Sequence, residues 1–446
     1  MIGKKYFLVF TALLVFSCRI SFAGGKLIPL KDSPDKNGEY TSILTFRIKY
    51  IDKSNVNAKN FIKGRVETFM AFKLRYFDGL KLMEVPATIP GNWDYKEKIC
   101  YCSGVVFIAA KPGKYDLLDL FYKTSGSTSV GGWTSTTTIT NSYPINSVLE
   151  LKAGNVYYAG DVNIDVAENK TEKWNLFINS ISSDSIVSDF KKKYPNTFSV
   201  YKNNFAPVVF SEPTPLQAQK VIFSSQFTKS EGLWKESNDS LHTASFEEGH
   251  YRIESKSDCN MGTEIIELPE KLGKSVDIEL RIKWISGTNK SGFGLILPGR
   301  YSGALSAKCP QGEIEPRGYV FGISPNGYAG IWYECLLRFY EGNKNVKKMT
   351  TLTDWKNIPT IKTNSNDQNT IHIQVIGQVI AYYVNDKFVS RAPFNSLAKL
   401  NAGEYLNYQN ILEFTEFLNE DFKLLGIYSY KKQTIEFDEL KVSRFK

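Results

Sequence analysis

Apolar and polar residues alternate along two neighbouring segments near residue 375, the pattern that is typical of β-strands. Ile371 to Val375 places isoleucine and valine at every second position, and the same alternation runs from Val379 to Tyr383. Gly377-Gln378 lies between them, and because glycine adopts positive φ without steric cost, the pair suits a two-residue hairpin turn. Asn385-Asp386 provides the next turn. The segment 369–389 therefore predicts a hairpin within a β-sheet meander.

The rest of the second half of the chain repeats this pattern at short intervals. The dipeptide Asn326-Gly327, preceded by Pro325, separates two of the segments and marks another hairpin. Many short strands with few helical signals predict a sandwich or jelly roll. The segments are 245–254, 275–285, 292–297, 319–324, 328–337, 424–430 and 434–442.

The first half also predicts strands, which we assign to an N-terminal β-sandwich over residues 24–166. Clear examples are 40–50, 104–110, 114–122, 143–151 and 155–164. Residues 124–142 are rich in Ser, Thr and Gly, so they predict an exposed, mobile loop or an extended hairpin tip. Trp133 lies in this interval and is either a ligand contact or a packed surface residue.

A helix and a linker are predicted between the halves, over residues 167–215. Residues 182–194 carry Ile186 and Phe190 four positions apart, lysines in the last turn and Pro195 just beyond. Pro207, Pro213 and Pro215 follow and predict an extended linker. We place the boundary near Pro215, with the second domain at 216–446.

The N-terminus resembles an export signal. Met1 to Ala23 has lysines before an apolar run and small residues at its end, so we expect cleavage after Ala23. A second interpretation stays open, because residues 15–18 resemble a lipobox whose Cys18 would be acylated. No later stretch approaches the roughly 20 apolar residues of a membrane helix. We expect a secreted, periplasmic or outer-surface protein that does not span the membrane.

Composition narrows the class further. The chain has 446 residues, 42% hydrophobic and 23% charged, which is typical of globular domains. Residues 1–23 contain three basic residues and no acid, so their removal lowers the net charge from +9 to +6. This mild charge forms no basic stripe, so we expect no nucleic-acid partner.

Cysteine spacing indicates structural roles. Cys100 and Cys102 flank one residue, and a disulfide between them in an extended strand would be strained. A metal site there would need further ligands, yet the chain has only 3 histidines, none of them near in sequence. One disulfide is plausible among Cys259, Cys309 and Cys335, with the pairing left open.

Two resemblances extend the interpretation. Residues 112–115 (PGKY) and 153–160 (AGNVYYAG) resemble a small β-sandwich module of bacterial exported and lipid-anchored proteins, which implies no chemistry. The second domain is similar to the concanavalin A-like lectin/glucanase superfamily, including laminin-G-type jelly rolls. The similarity implies two packed, curved antiparallel sheets, and many members bind glycans. The matching order is Phe227, Trp234, 251–253, 276–285, 292–295, 319–323, 371–385, 425–427 and 437–442.

The same superfamily contains retaining glycoside hydrolases with two carboxylates on one strand face. Glu313 and Glu315 are the nearest match, but Pro316 interrupts the strand and Arg317 occupies the place of a further carboxylate. Glu436 and Asp438 also lie two apart, and we expect a structural role for them.

Aromatic residues offer a noncatalytic alternative, because sugars stack on aromatic rings. Tyr382 and Tyr383 must point to opposite faces, so we expect at most one to be buried. We expect His372 to be a paired histidine rather than a catalytic group. The candidate ligand-binding residues are Tyr328, Trp332, Tyr340 and Tyr382.

The sequence thus predicts a noncatalytic exported binding protein that recognises a glycan or surface polymer through the second domain. The alternative is a secreted glycoside hydrolase that uses Glu313 and Glu315. We expect no cofactor, although Asn364, Asn366 and Asp367 leave structural calcium open against a simple polar turn.

Overall fold

The computed structural model describes most of the chain and divides it into two units, Met1–Ser211 and Glu212–Lys446. Regular secondary structure in the described residues is almost all β-strand, with only short helices beside it, which confirms the all-β prediction. They are 26–53, 68–94, 99–130, 133–167, 172–177, 184–239, 242–256, 261–273, 275–289, 291–298, 318–338, 345–351, 355–377, 379–393 and 423–445.

The first unit is built on one mixed sheet. Its strands follow the order β10-β8-β2-β5-β4-β3-β6-β7-β11, with β1 paired to β5 and β9 paired to β8. The strands are β1 (Leu27–Pro29), β2 (Ser42–Asp52), β3 (Thr68–Asp78), β4 (Lys81–Asp94), β5 (Ile99–Ala110), β6 (Gly113–Val130), β7 (Trp133–Leu151), β8 (Val156–Val166), β9 (Glu172–Phe177), β10 (Phe205–Pro207) and β11 (Phe210–Ser211). The helices are α1 (Pro34–Asn37), α2 (Asp184–Lys193) and α3 (Pro195–Tyr201).

This sheet folds over on itself. Strands β2 and β3 are separated in the sheet by β5 and β4, yet the rings of Tyr50 on β2 and Phe72 on β3 lie 6.2 Å apart. The two arms of the sheet therefore enclose one apolar core, to which Leu44, Leu74 and Leu120 contribute. The predicted N-terminal sandwich consists of one bent sheet.

The predicted helix is present as α2. Ile186 and Phe190 are buried, and Phe190 stacks on Phe107 of β5 with ring centroids 5.0 Å apart. Basic residues fill its last turn, and Pro195 begins the next helix, α3. Both helices, together with β9, β10 and β11, belong to the first unit, so most of the interval 167–215 contributes to that unit.

The Ser- and Thr-rich interval forms the far end of the long β6–β7 hairpin. Val130 pairs with Trp133 at its tip, which is the hairpin form of the two that the sequence left open. The side chain of Trp133 lies outside the described residues. Cys102 on β5 is buried. The side chains of Cys100 and Cys335, like Cys259 and Cys309, lie outside the description, so their pairing stays a prediction.

The second unit is a sandwich of two antiparallel sheets, as the superfamily resemblance implies. The first sheet has the order β13-β14-β15-β27-β17-β23-β24-β25 with β12 beside β27, and the second has β16-β26-β18-β19-β20-β21 with β22 beside β20. Its strands are β12 (Lys220–Ser225), β13 (Ser237–Asn238), β14 (His242–Glu247), β15 (His250–Ser255), β16 (Met261–Glu267), β17 (Ser275–Gly287), β18 (Phe293–Pro298), β19 (Gly318–Ile323), β20 (Tyr328–Arg338), β21 (Asn345–Thr351), β22 (Lys356–Asn357), β23 (Gln368–Ile376), β24 (Val379–Val384), β25 (Lys387–Pro393), β26 (Leu424–Tyr430) and β27 (Gln433–Arg444).

The predicted hairpin lies inside the first sheet of this unit. Ile376 pairs with Val379 across a turn in which Gly377 has φ +60°, so the glycine occupies the left-handed region that the turn requires. The alternating side chains of β23 point into the core and are fully buried, namely Ile371, Ile373 and Val375. The hairpin prediction is confirmed.

The burial prediction for the two tyrosines is wrong, because both are buried. Tyr382 points into the core and donates its hydroxyl to the Gly322 carbonyl at 3.1 Å. Tyr383 points to the opposite face, where its ring lies 5.9 Å from the His372 ring and 5.7 Å from that of Phe388. This face of the hairpin is covered by its own neighbours rather than by solvent.

A second difference concerns residues 245–254, which the alternation predicted as one strand segment. They form the β14–β15 hairpin, because Glu248 and Gly249 both adopt positive φ, at 51° and 85°. Glu247 and His250 pair across this turn. The glycine was the available signal for a break, but Glu248-Gly249 is not one of the Asn-Gly or Asp-Gly pairs that mark hairpins most strongly.

Candidate functional site

Glycines form a flat floor on the outer face of the second sheet of the second unit. Gly322 on β19 pairs with Gly330 on β20, and Gly292 lies just before β18. A Cβ atom on Gly322 would lie 2.7 Å from Cη2 of Trp332, and one on Gly292 would lie 2.9 Å from Cη2 of Trp355. Because side chains are absent there, indole rings can lie directly on the backbone of the sheet.

Four aromatic side chains occupy this floor, and we call them the aromatic patch: Trp332, Trp355, Tyr428 and Tyr430. The indoles of Trp332 and Trp355 stack with centroids 5.4 Å apart and planes 30° apart. Tyr428 meets the Trp332 ring edge-on at 5.9 Å, and Tyr430 packs against the same cluster. Trp332 is 6% exposed, whereas Trp355 is 38% exposed. The patch thus has a buried base and an exposed indole.

Two buried polar atoms beside the floor lack hydrogen-bond partners among the described residues. They are Nε1 of Trp332 and Oγ of Ser291, the residue that precedes Gly292. A buried donor without a partner costs about 1–3 kcal/mol. Both atoms have less than 1 Å² of accessible surface, so they belong to the buried base of the patch.

The four predicted ligand-binding residues fall in different places. Trp332 lies in the aromatic patch, and Tyr328, on the same strand, is 39% exposed. Tyr382 is fully buried in the core, which overturns its assignment as a ligand contact. Tyr340 lies outside the described residues, as do Glu313 and Glu315 of the hydrolase alternative.

Sequence reasoning missed Trp355. It precedes the two-residue strand β22, in which Lys356 pairs with Ala329, and this register brings Trp355 over Gly330. Its neighbours Asp354 and Lys356 are charged, so no alternation surrounds it. A lone tryptophan in a polar segment was the available signal.

A second cluster lies on the outer face of the first sheet, where His250, Glu436 and Asp438 bring possible metal-ligating atoms within 4.8 Å of one another. Lys283 donates to Glu436 at 2.9 Å and to Asp438 at 3.1 Å. Arg252 donates to Glu436 through both Nε and Nη2 at 3.0 Å. Lys283 and Arg252 therefore already supply the positive charge that a metal ion would bring to these carboxylates.

This pairing also decides the acid–base character of Glu436. Burial alone would raise the pKa of this carboxyl, but the hydrogen bonds from Lys283 and Arg252 outweigh burial and lower the pKa below its ordinary value. A general acid for glycoside hydrolysis needs a raised pKa. Glu436 is therefore unsuited to the general-acid role, and its contacts are those of an ion-pair network.

Two histidines have structural explanations. His372 is buried and contacts Asp277 through Nε2 at 2.5 Å, so it is a paired histidine as predicted. His242 contacts both Glu264, at 2.9 Å, and Ser237, at 3.3 Å, through the same Nε2. A catalytic triad uses opposite ring nitrogens for its acid and serine, so this arrangement does not form one.

The polar turn considered for calcium is held by its own hydrogen bonds. Asn364 donates to the Asp367 carboxylate at 3.1 Å, and Asn366 adopts φ +70° while its backbone N–H donates to the Trp284 carbonyl. These contacts account for the cluster as a turn, and calcium binding stays untested.

Comparison with known proteins gives structural likenesses only. No protein-family model and no curated protein matches the chain. A carbohydrate-binding module from Bacillus subtilis is 12% identical with a TM-score of 0.24, covering 51% of this chain and 99% of its own. A Bacillus subtilis protein of unknown function with a galectin-like fold is 7% identical with a TM-score of 0.31, covering 51% and 97%.

The catalytic domain of an endo-1,3-β-glucanase (laminarinase) from Thermotoga petrophila is 13% identical with a TM-score of 0.30, covering 52% of this chain and 100% of its own. These neighbours are of the kinds that the sequence resemblance implies. At such identities and TM-scores these neighbours are evidence for neither a ligand nor a reaction. A proposal about function therefore rests on the aromatic patch itself.

Within the part of the chain that the structure describes, no helix is long and apolar enough to cross a membrane.

Proposed function

We propose that this protein is an exported, noncatalytic binding protein that holds a glycan or another surface polymer on the aromatic patch of its second unit. The observation that carries the proposal is the exposed Trp355 indole, stacked on Trp332 over a floor of glycines. A pyranose ring presents an apolar CH face that packs on an indole, while its hydroxyls need hydrogen-bond partners.

The glycine floor supports the same proposal. Since the rings rest on backbone atoms that cannot rotate away, the patch is held in place before a ligand arrives. Preorganisation of this kind lowers the entropy cost of binding.

A glycan array probed with the full chain tests the proposal. We expect the full chain to bind at least one glycan class. Trp355→Ala should lower the affinity for that glycan by about tenfold or more, because the substitution removes the exposed stacking surface. The matched control is Tyr101→Ala, which removes an aromatic ring that is 42% exposed in the first unit. Equal binding by wild type and Trp355→Ala, or binding to no glycan, would contradict the proposal.

Reducing-end release from any retained glycan separates binding from hydrolysis. We expect none above the buffer rate. Turnover that disappears in Glu313→Gln or Glu315→Gln would establish the hydrolase alternative instead.

Export is part of the proposal and rests on the pattern of Met1 to Ala23. The sequence of the exported protein, determined from its N-terminus, should begin at Gly24. Palmitate labelling that Cys18→Ser abolishes would support the lipid-anchored form.

A further inference from the structure

The β26–β27 hairpin places Lys431 at the edge of the aromatic patch. Tyr430, the last residue of β26, packs against the cluster of Trp332 and Tyr428. Lys431 follows at φ +57°, and its Nζ lies 5.2 Å from the centroid of the Tyr430 ring. Lys432 is the second turn residue and is exposed. The positive charge is therefore continuous with the proposed stacking surface.

The charge of Lys431 is not neutralised by the described part of the chain. Among those residues it contacts the Tyr430 ring and forms no ion pair, in contrast to Lys283, which has two carboxylate partners. The four side chains of the aromatic patch are themselves uncharged. A cation over an aromatic ring is only partly compensated, so an anion close to it remains favourable.

We propose that the glycan bound by the aromatic patch is acidic, with a carboxylate or sulfate group that pairs with Lys431. This inference rests on the proposed function and names the ligand class of the same site. Sugar rings stack on Trp355, and the anionic substituent of a neighbouring unit reaches the hairpin tip. A charge-assisted hydrogen bond there is stronger than one to a neutral hydroxyl.

The test compares three polymers by affinity electrophoresis of the full chain: polygalacturonate, its carboxyl-reduced neutral form, and dextran sulfate, which carries sulfate and no carboxylate. The first pair differs only in the charge of the substituent, and the third asks whether sulfate serves as well as carboxylate. We expect at least one acidic polymer to bind at least about tenfold more tightly than the neutral form. That preference should shrink as salt rises, since salt screens exposed charges.

Variants assign the preference to its residue. Lys431→Met keeps the aliphatic stem and should reduce affinity for the acidic polymer by about tenfold while leaving affinity for the neutral form unchanged. The matched control is Lys229→Met. It also replaces one positive charge, but Lys229 already forms an ion pair with Glu236 at 2.9 Å. Trp355→Ala should weaken binding to every polymer that the wild type retains.

The outcomes separate the two proposals. Binding of neutral glycans with no preference for the acidic polymers, or an unchanged preference in Lys431→Met, overturns the acidic-ligand inference and leaves the proposed function standing. Failure of the full chain to bind any polymer or any arrayed glycan overturns both. Preference that Lys431→Met removes and Lys229→Met retains supports the inference.

Discussion

Gly377 is a residue at which backbone conformation alone sets the cost of a substitution. It has φ +60°, and a Cβ atom placed on it would meet nothing within 4 Å. We expect Gly377→Ala to lower the free energy of unfolding by about 1 kcal/mol and Gly377→Val by up to about 3 kcal/mol, because branched side chains tolerate positive φ least. Thermal melts of the full chain measure this. If Gly377→Val has the same melting temperature as the wild type, the hairpin assignment is wrong.

Gly322 provides the opposite case, in which space rather than φ forbids a side chain. A Cβ atom there would lie 2.7 Å from the Trp332 ring, closer than real contacts allow. We expect Gly322→Ala to displace the Trp332 and Tyr428 rings. The displacement should weaken glycan binding and also lower the melting temperature. Near-ultraviolet circular dichroism and tryptophan emission report the displacement. Unchanged spectra would show that the patch does not depend on this floor.

These two glycines also show what sequence can foresee at the scale of a residue. The role of Gly377 was predictable, since a turn between two alternating segments is a local pattern. The role of Gly322 was not, because it depends partly on Tyr428, which lies more than one hundred positions away and reaches the floor only through the pairing of β26 with β18. Tyr382 was misassigned for the same reason, as its burial depends on the opposing sheet.

At the scale of the element, strand β27 shows how one face carries a structural charge network. Glu436 is 4% exposed and is held by Lys283 and Arg252 from the two neighbouring strands. Removing one partner of a buried pair is strongly destabilising, because the other charge stays buried. We expect Glu436→Gln to lower the free energy of unfolding by on the order of 3 kcal/mol, measured by urea denaturation at pH 7.

Strand β27 also supplies the control. Glu439→Gln breaks the contact with Arg281 at 2.8 Å, but that arginine is 46% exposed, so the expected loss is below about 1 kcal/mol. Equal effects of the two substitutions would contradict the distinction between a buried and an exposed pair.

The Glu436 network has a defined pH dependence. Its pKa is lower in the folded protein than the roughly 4.3 of an unfolded glutamate, so its stabilisation is complete above that value. The contribution is lost as pH falls through the lowered folded pKa, while Lys283 and Arg252 stay charged. The stability difference between wild type and Glu436→Gln should therefore shrink as the pH is lowered from 7 through the unfolded pKa and then through the lowered folded pKa. A difference that is constant over this range would argue against the lowered pKa.

Elements were predictable wherever the chain alternates over a full strand. Strand β17 and the β23–β24 hairpin follow their patterns closely, because their core faces alternate without interruption. The β14–β15 hairpin was merged into one segment, since its turn uses Glu248 beside Gly249 in place of a recognised turn pair. The burial of Tyr383 depends on His372 and Phe388 beside it, which a single strand pattern does not contain.

At the scale of the whole chain, the start of the second unit is tied to its own sheet by a side chain. Gln374 on β23 is fully buried, and its amide accepts from the Leu216 N–H at 3.0 Å and donates to the Leu216 carbonyl at 2.7 Å. The same Nε2 lies 2.8 Å from Asp277. The sequence placed the boundary near Pro215, but it could not show that the backbone at Leu216 completes a buried polar network.

This tie predicts where a fragment of the second unit has to begin. A fragment of 212–446 keeps every contact of Gln374, whereas 217–446 loses both hydrogen bonds to Leu216 and keeps the contact of Nε2 with Asp277. Each lost hydrogen bond contributes about 0.5–1.5 kcal/mol, so the shorter fragment should melt several degrees lower. The control is 213–446, which keeps the buried Pro213, loses the exposed Glu212–Lys387 ion pair and should melt within about 1 °C of the longest fragment. If 217–446 and 212–446 have the same melting temperature, the Leu216 backbone does not contribute to stability. If all three fragments are insoluble, the second unit does not fold alone.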